Sequence, residues 1–424
     1  MSSTSTRPSA RGSGTFSCES VGVTAPSTRT RASSTGIRPC RAASAIAIPP
    51  KIRVRPTVHG STGLALPSPL VTTSPPPPAG RPPRILGIGF ACVDDLLLLS
   101  AIPPPEGRAT IRGRLEQGGG MVATAMVAVA RLGGNAAFIT RVGDDQTGTQ
   151  ILDEFRTEGV DVSHAVTTPG LTSHRTIVLV DGRTGARAFL AGRGTANDVM
   201  PEDLDMEWVA EAPFLHLSDA GPAAVAAAKV VKAAGGHACL DGTHYHQTVD
   251  ALLPHLEYLV VSRFFGSEYL AHLDGRELGA AAREYAGTLV ARDQAVHPNP
   301  AAMGDSHAPV LTGGALLDAA RRLRERGPNV VVVTEGEAGC WCASPDGDFH
   351  IPAYVAPQVV DTTGAGDVFH GAFLQARAMG RTLHSSLELA SAAAALKCRA
   401  LGGRTGSPDL ETTIAFMSTA SRHR

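Results

Sequence analysis

Asp361-Thr362-Thr363-Gly364-Ala365-Gly366-Asp367, continuing as Val368-Phe369-His370-Gly371-Ala372-Phe373, is the stretch on which the reading of this chain turns. Val359-Val360 ahead of it predicts the end of a short apolar strand, and the Ala/Leu-rich pattern over 369–379 predicts a helix. Between them Gly364 and Gly366 allow torsions and close approaches that a side chain would block. A helix start offers unpaired N–H groups and the positive end of the peptide dipole, so this loop can hold an anion. Asp367 stands where that helix begins. It is open to two readings: an N-cap, or a carboxylate set beside an anion to activate a hydroxyl.

The same residues resemble the C-terminal signature of the ribokinase-like (PfkB) carbohydrate kinases. The resemblance implies an α/β fold, with a mainly parallel central sheet flanked by helices in three Rossmann-like layers and a small β-sheet lid. It implies that Asp367 is the base that deprotonates a sugar hydroxyl, and that Gly364, Ala365 and Gly366 form an anion hole for the moving phosphate. ATP would be the donor, with Mg²⁺, and a small-molecule sugar the acceptor. Further motifs in the same order carry the resemblance over residues 84–408.

Composition sets the outer limits. With 424 residues, a formal net charge of −1 and 43% hydrophobic residues, the chain can build one large α/β domain. A near-neutral balance argues against general nucleic-acid binding, and no apolar run is long enough to span a bilayer. The seven cysteines are an odd set without zinc-type pairing. Cys340-Trp341-Cys342 suits alternate faces of a strand, and a reducing compartment is the simpler expectation.

Residues 1–83 differ from the rest: Ser, Thr, Arg, Ala and Pro dominate, Glu19 is the only acid, and Pro75 to Pro78 form a run. This composition cannot bury a core and predicts disorder. It also matches an organelle transit peptide, plastid ahead of mitochondrion; the competing reading is a start codon assigned upstream of a cytoplasmic enzyme. The kinase domain is expected over 84–412, with lid strands near 95–116 and 173–192, and a tail over 413–424.

Within the domain, residues 85–89 read as a buried first strand leading to Asp94. The resemblance makes Asp94, or its neighbour Asp95, a sugar-hydroxyl acceptor. Gln117-Gly118-Gly119-Gly120 opens a helix over 121–132, and Gly119 and Gly120 match the glycines that let the backbone approach the sugar. Thr124 stands where relatives commonly carry Asn. In Arg141-Val142-Gly143-Asp144-Asp145 both acids read as caps for a helix over 149–158. Strands over 173–180 and 187–190 would complete the lid, with Arg175, Arg187 and Arg193 read as solvated edge residues.

From Phe214 onward strand and helix alternate, the mark of a parallel sheet covered on both faces. Ser262-Arg263-Phe264-Phe265 replaces the Asn-x-x-Glu that relatives use around magnesium, and Glu268 lies offset from it. His244 and His246 read as solvated loop histidines rather than a metal pair. A helix is expected near 248–253, and a surface insertion over 294–314. The β-branched run over 330–334 predicts a buried strand. It ends at Thr334, with Gly336 and Gly339 in a loop that the resemblance places against the nucleotide.

A long Ala-rich helix is expected over 385–401. In relatives the turn after it, with the segment near Asp361, holds a monovalent cation such as K⁺. Asp361, Thr363, Ala400, Gly403 and Ser407 stand at the matching positions, although a helix C-cap explains the glycines equally well.

These readings converge on an ATP-dependent carbohydrate kinase, ketohexose-like acceptors favoured, with a homodimer formed through the lid. The alternatives are a non-catalytic scaffold subunit of the same fold, which would be expected to lack the base or the glycine loop, and a nucleoside kinase. A dinucleotide-binding dehydrogenase fails, because Gly87-Ile88-Gly89 continues with Phe90-Ala91-Cys92.

Overall fold

The computed structural model describes residues 82–183, 187–192, 194–196, 198–275 and 310–423. Residues 1–81, nearly all of the segment read as a transit peptide, Arg193 and most of the expected insertion lie outside the described residues.

The main sheet has eight strands in the order β14-β13-β12-β11-β10-β9-β1-β4. These are β1 Arg84–Ile88, β4 Asn135–Ile139, β9 Phe214–Leu217, β10 His237–Gly242, β11 Tyr258–Ser262, β12 Val330–Thr334, β13 Cys340–Ala343 and β14 Phe349–Ile351. All pairings from β4 through β12 are parallel, and β13 and β14 add antiparallel edge strands. The valine run of β12 shows why the sheet is buried on both faces. Val330 and Val332 pack into one apolar cluster, Val331 and Val333 into the other, because successive strand residues point to opposite sides.

Helices α1 Met121–Arg131 and α2 Gln146–Thr157 cover the first face; α3 Met206–Ala210, α4 Pro222–Ala233, α5 Arg263–Leu273 and α6 Gly314–Arg324 cover the second. α7 Ala365–Ala378 and α8 Leu383–Lys397 return to the first face, and α9 Leu410–Thr419 packs on α8. A separate four-stranded sheet, β3-β2-β7-β8, forms the lid from β2 Cys92–Leu99, β3 Ile111–Gly119, β7 His174–Asp181 and β8 Arg187–Gly192. A short pair, β5 Arg141–Gly143 and β6 Val166–Thr168, completes the set.

Several expectations are corrected. Val359 and Val360 form no strand and are exposed at 64% and 42%; the N–H of Val360 and of Asp361 instead donate to the Cys398 carbonyl. Residues 247–255 wind as two 3₁₀ turns rather than an α-helix, where Pro254 removes a donor. The Ala-rich helix stops at Lys397, four residues before the expected end. The fold also continues past residue 412: α9 spans that boundary, and the Arg422 guanidinium donates to Glu388 Oε1 at 2.6 Å and to the Tyr354 hydroxyl at 2.8 Å. Among the described residues no helix is long and apolar enough to cross a membrane.

Candidate active site

α7 begins one residue after a left-handed glycine. Gly364 has φ 75°, and a Cβ there would lie 2.6 Å from the Gly403 carbonyl oxygen, so conformation and space both require glycine. The N–H of Ala365 turns to the Thr362 carbonyl at 3.2 Å. Gly366 and Asp367 follow in the first turn, where N–H groups have no intrahelical acceptor. Gly366 is exposed and a Cβ on it would meet nothing within 4 Å, so this turn opens onto a groove.

Asp367 is the third helical residue, not the N-cap. As a residue it is half-buried. Protein atoms crowd its carboxylate, and that burial, with the charge of Asp241, pushes its pKa well above the usual carboxylate range; Arg404 and Lys397 pull the other way. Asp241 comes from the C-terminal end of β10, and burial pushes it up to about 7. The His370 ring, one turn beyond Asp367, sits 3.3 Å from Asp241. Burial drives His370 down to about 3, so the pair is neutral histidine against a reluctant acid rather than an ion pair. His216 and Cys239 lie beside His370 in the interior, with donor atoms of the three within 4.8 Å of one another.

The loop ahead of α7 is anchored from behind. Asp361 Oδ1 accepts from the N–H and the hydroxyl of Thr363 at 2.9 and 2.7 Å, and Oδ2 accepts from the Gly402 N–H at 2.8 Å. Burial alone would raise this acid, yet these donors and Lys397 hold it below its ordinary value. Lys397, fully buried at the last position of α8, donates to the Asp361 carbonyl at 2.8 Å. From the lid, Arg187 donates to Thr363 Oγ1 at 2.7 Å. This corrects the reading of Arg187 as a solvated edge residue. Arg175 pairs with Glu116 at 2.8 Å.

On the opposite wall the structure separates the two adjacent lid aspartates. Asp95 faces outward to Arg114 at 2.7 Å. Asp94 turns inward against Gly119, where a Cβ would meet its Oδ2 at 2.2 Å, and its charge is felt by Asp367. Gly120, at φ 102°, packs against the Phe90 carbonyl. Thr124 is buried and lies 3.5 Å from Arg404 Nε, so its hydroxyl is engaged inside the protein rather than presented to the groove.

Arg404, only 2% exposed, organises this wall. Its guanidinium donates to Glu154 Oε1 at 2.7 Å and to the Gly119 carbonyl at 3.2 Å; Glu154 Oε2 accepts from the Gly118 N–H at 2.6 Å. Gly118 must be glycine, because a Cβ would sit 2.0 Å from Arg404 Nη1. The reading of the motifs missed Arg404, Lys397, Asp241 and His370. The signal for the two cations was available: an arginine inside Gly402-Gly403-Arg404-Thr405-Gly406, and one lysine in an otherwise uncharged helix end.

The loop after β12 leaves the same C-terminal edge of the sheet that carries Asp241. Thr334 Oγ1 donates to the Val261 carbonyl at 3.2 Å; Gly336 and Gly339 take φ 62° and 97°. A Cβ on Gly339 would strike the Ile351 carbonyl, whereas one on Gly336 would meet nothing, so Gly336 borders open space. Glu268 does not replace the absent Asn-x-x-Glu as a free acid. Both oxygens are occupied, by His244 Nδ1 and the Tyr245 N–H, each at 2.8 Å. His246 is buried and caps a 3₁₀ turn. The two histidines are thus structural, not solvated.

Comparison with known proteins agrees with this arrangement. The model of the pfkB family carbohydrate kinases matches residues 91–292 and 310–410. An ATP-dependent ribose-1-phosphate kinase of Halopiger xanaduensis is 26% identical over 340 residues, covering 79% of this chain and 98% of the relative. Fructokinase-1 of Oryza sativa subsp. japonica is 25% identical, covering 81% of this chain and all of the relative. The structure of Arabidopsis thaliana ribokinase complexed with ribose and ATP superposes with a TM-score of 0.62 at 22% identity, covering 80% of this chain and 100% of that one. The chain belongs to the pfkB family of carbohydrate kinases, and its enzyme class is that of a sugar kinase.

Proposed function

We propose that this kinase transfers the γ-phosphoryl group of ATP to a hydroxyl of a free or phosphorylated ketohexose or pentose, with Asp367 as general base. The observation that carries the reading is Asp367 itself. It lies in the first turn of α7, beside the amide of an exposed glycine, and close enough to Asp94 for that charge to raise its pKa. Phosphoryl transfer makes small covalent demands and large positional ones. The N–H groups of Gly366 and Asp367, with the helix dipole, would match the charge that grows on the phosphoryl oxygens without reorganising. Asp367 takes the hydroxyl proton as the alcohol attacks, and the burial that raises its pKa makes the ionised carboxylate a stronger base.

Asp94 and the Gly119–Gly120 backbone would hold the sugar hydroxyls, and the Thr334–Gly339 loop the nucleotide. When bound with ATP, Mg²⁺ would neutralise phosphate charge; its protein ligands would be sought among groove-facing carboxylates, since Glu268 is already occupied. ATP consumption against a panel of ribose, fructose, their phosphates and nucleosides, with the product mapped by phosphorus NMR, tests the reading. One added phosphoryl group per acceptor is expected. Absence of turnover with every acceptor, by folded protein that binds ATP, would sink it.

A further inference from the structure

The residues nominated for a monovalent cation do not present a free cage. The Asp361 carbonyl already receives the Lys397 ammonium at 2.8 Å. Both Asp361 carboxylate oxygens are taken by N–H and O–H donors. Thr363 Oγ1 receives Arg187 at 2.7 Å, and the Ser407 carbonyl receives Arg131 Nη1 at 3.4 Å, which leaves the buried Ser407 hydroxyl as the one side-chain oxygen of the set without a partner. Three of the five nominated positions therefore already meet a cationic side chain. A further cation among them would stand against fixed positive charge that a buried setting screens poorly.

Lys397 needs a reason to be there. It is 0% exposed, on a helix whose neighbouring core positions are Ala, Leu and Ser. A buried ammonium without compensation is costly. Here compensation comes from the Asp361 carbonyl and carboxylate and from the C-terminal end of α8, where the helix dipole favours a cation. The place it occupies is functional. Lys397 grips the residue that opens the anion loop, and the chain on either side of it is stitched together by the Val360 and Asp361 N–H bonds to Cys398.

We propose that Lys397 is the built-in cation of this loop: its ammonium holds the Asp361–Asp367 turn in shape and supplies positive charge behind it, so that phosphoryl transfer in this chain does not depend on K⁺. The inference rests on the kinase reading above, and Lys397 is a positioning residue, since it touches Asp361 rather than substrate.

Two measurements test it. The first needs no turnover: thermal unfolding of the full chain in KCl, NaCl and tetramethylammonium chloride at equal ionic strength. The three midpoints should agree to about 1 °C, and a K⁺-selective rise of several degrees, the mark of a bound ion, overturns the proposal. The second uses turnover. The wild-type rate should be equal in the three salts. Lys397→Ala should lose roughly 10²-fold in kcat with little change in sugar KM, the size expected for removing a fixed electrostatic group. K⁺ or ethylammonium entering the vacated space should restore at least about tenfold of it. Unchanged kcat in the variant, or a loss that neither cation repairs, overturns the proposal. If Lys397→Ala does not fold, the wild-type salt comparison still decides. If no sugar is phosphorylated at all, the kinase reading fails, while the unfolding comparison still answers the cation question.

Discussion

Two aspartates in this molecule stand at the start of a helix within two residues of a glycine, and the structure gives them opposite characters. Asp145 is the N-cap of α2: its side chain accepts from the Gly148 N–H at 2.8 Å and from the Ser173 N–H and hydroxyl at 3.0 and 2.7 Å. Burial works to raise its pKa, but these donors win and hold it below the ordinary value. Asp367, three residues further into its helix, is shifted by burial and neighbouring charges, without a hydrogen-bond donor among the causes, and it is pushed up. One carboxylate is satisfied and structural. The other is left poised to take a proton. Satisfaction, more than position in a Gly-Asp motif, separates a cap from a base.

The largest effect that could break this contrast is at Asp367. Asp367→Asn should lower kcat by about 10³-fold, within the usual range for losing a general base. Because the native carboxylate is held at a raised pKa, removing its charge at neutral pH should leave the thermal midpoint unchanged or raise it. A slow enzyme that is also much less stable would move Asp367 into the structural class.

The next largest effect is at Gly364. Alanine there would carry φ 75° and press its Cβ against the Gly403 carbonyl. Left-handed strain costs about 1–3 kcal/mol, and because the loop would shift, kcat should fall by more than the stability loss alone suggests. The readout is kcat beside the denaturant midpoint; a variant destabilised but fully active would mean that the loop does not shape the transition state.

How far these roles could be read without coordinates depends on how local each one is. The Gly-Ala-Gly-Asp turn, the strand–helix rhythm and the β12 valine run are short-range patterns, and they identified the helix start, the sheet and the family. The lid pairing β2 with β7 joins Cys92–Leu99 to residues about eighty positions away in the chain, and it was the family resemblance, not a local pattern, that put both strands in the lid. What escaped was long-range. Arg404 meets Glu154 and Gly119 across 250 and 285 positions, and Arg187 reaches Thr363 across 176. No spacing rule connects such residues. Val359-Val360 misled because two β-branched residues carry a strand preference that a backbone tied to Cys398 overrides.

A smaller effect is expected at the cap. Asp145→Ala removes the bonds to Gly148 and Ser173 and should cost about 1–2 kcal/mol of stability, the measured range for N-cap loss, with kcat nearly unchanged. The pH dependence has a definite sign. A depressed folded-state pKa gives stability that is present above the unfolded value of 3.8 and is lost as pH falls through the folded one. The gap between wild type and Asp145→Ala in urea midpoint should therefore narrow as the solution is acidified below pH ~4. A gap that stays constant would mean that the carboxylate charge contributes nothing.

The finest test lies between Asp367 and its neighbour. Asp241 raises Asp367 because a second negative charge nearby disfavours ionisation. The acid limb of the kcat/KM profile should thus fall above the ordinary carboxylate range in the wild type. Asp241→Asn removes the repelling charge and should move that limb to lower pH. Since Asp241 itself stands at about 7, the repulsion is partial near neutrality and the shift should be smaller than full removal of a unit charge would give. The asparagine can still face His370, so folding should survive. A limb that stays in place would show that burial alone tunes the base; a loss of turnover as deep as that of Asp367→Asn would place Asp241 at the proton transfer.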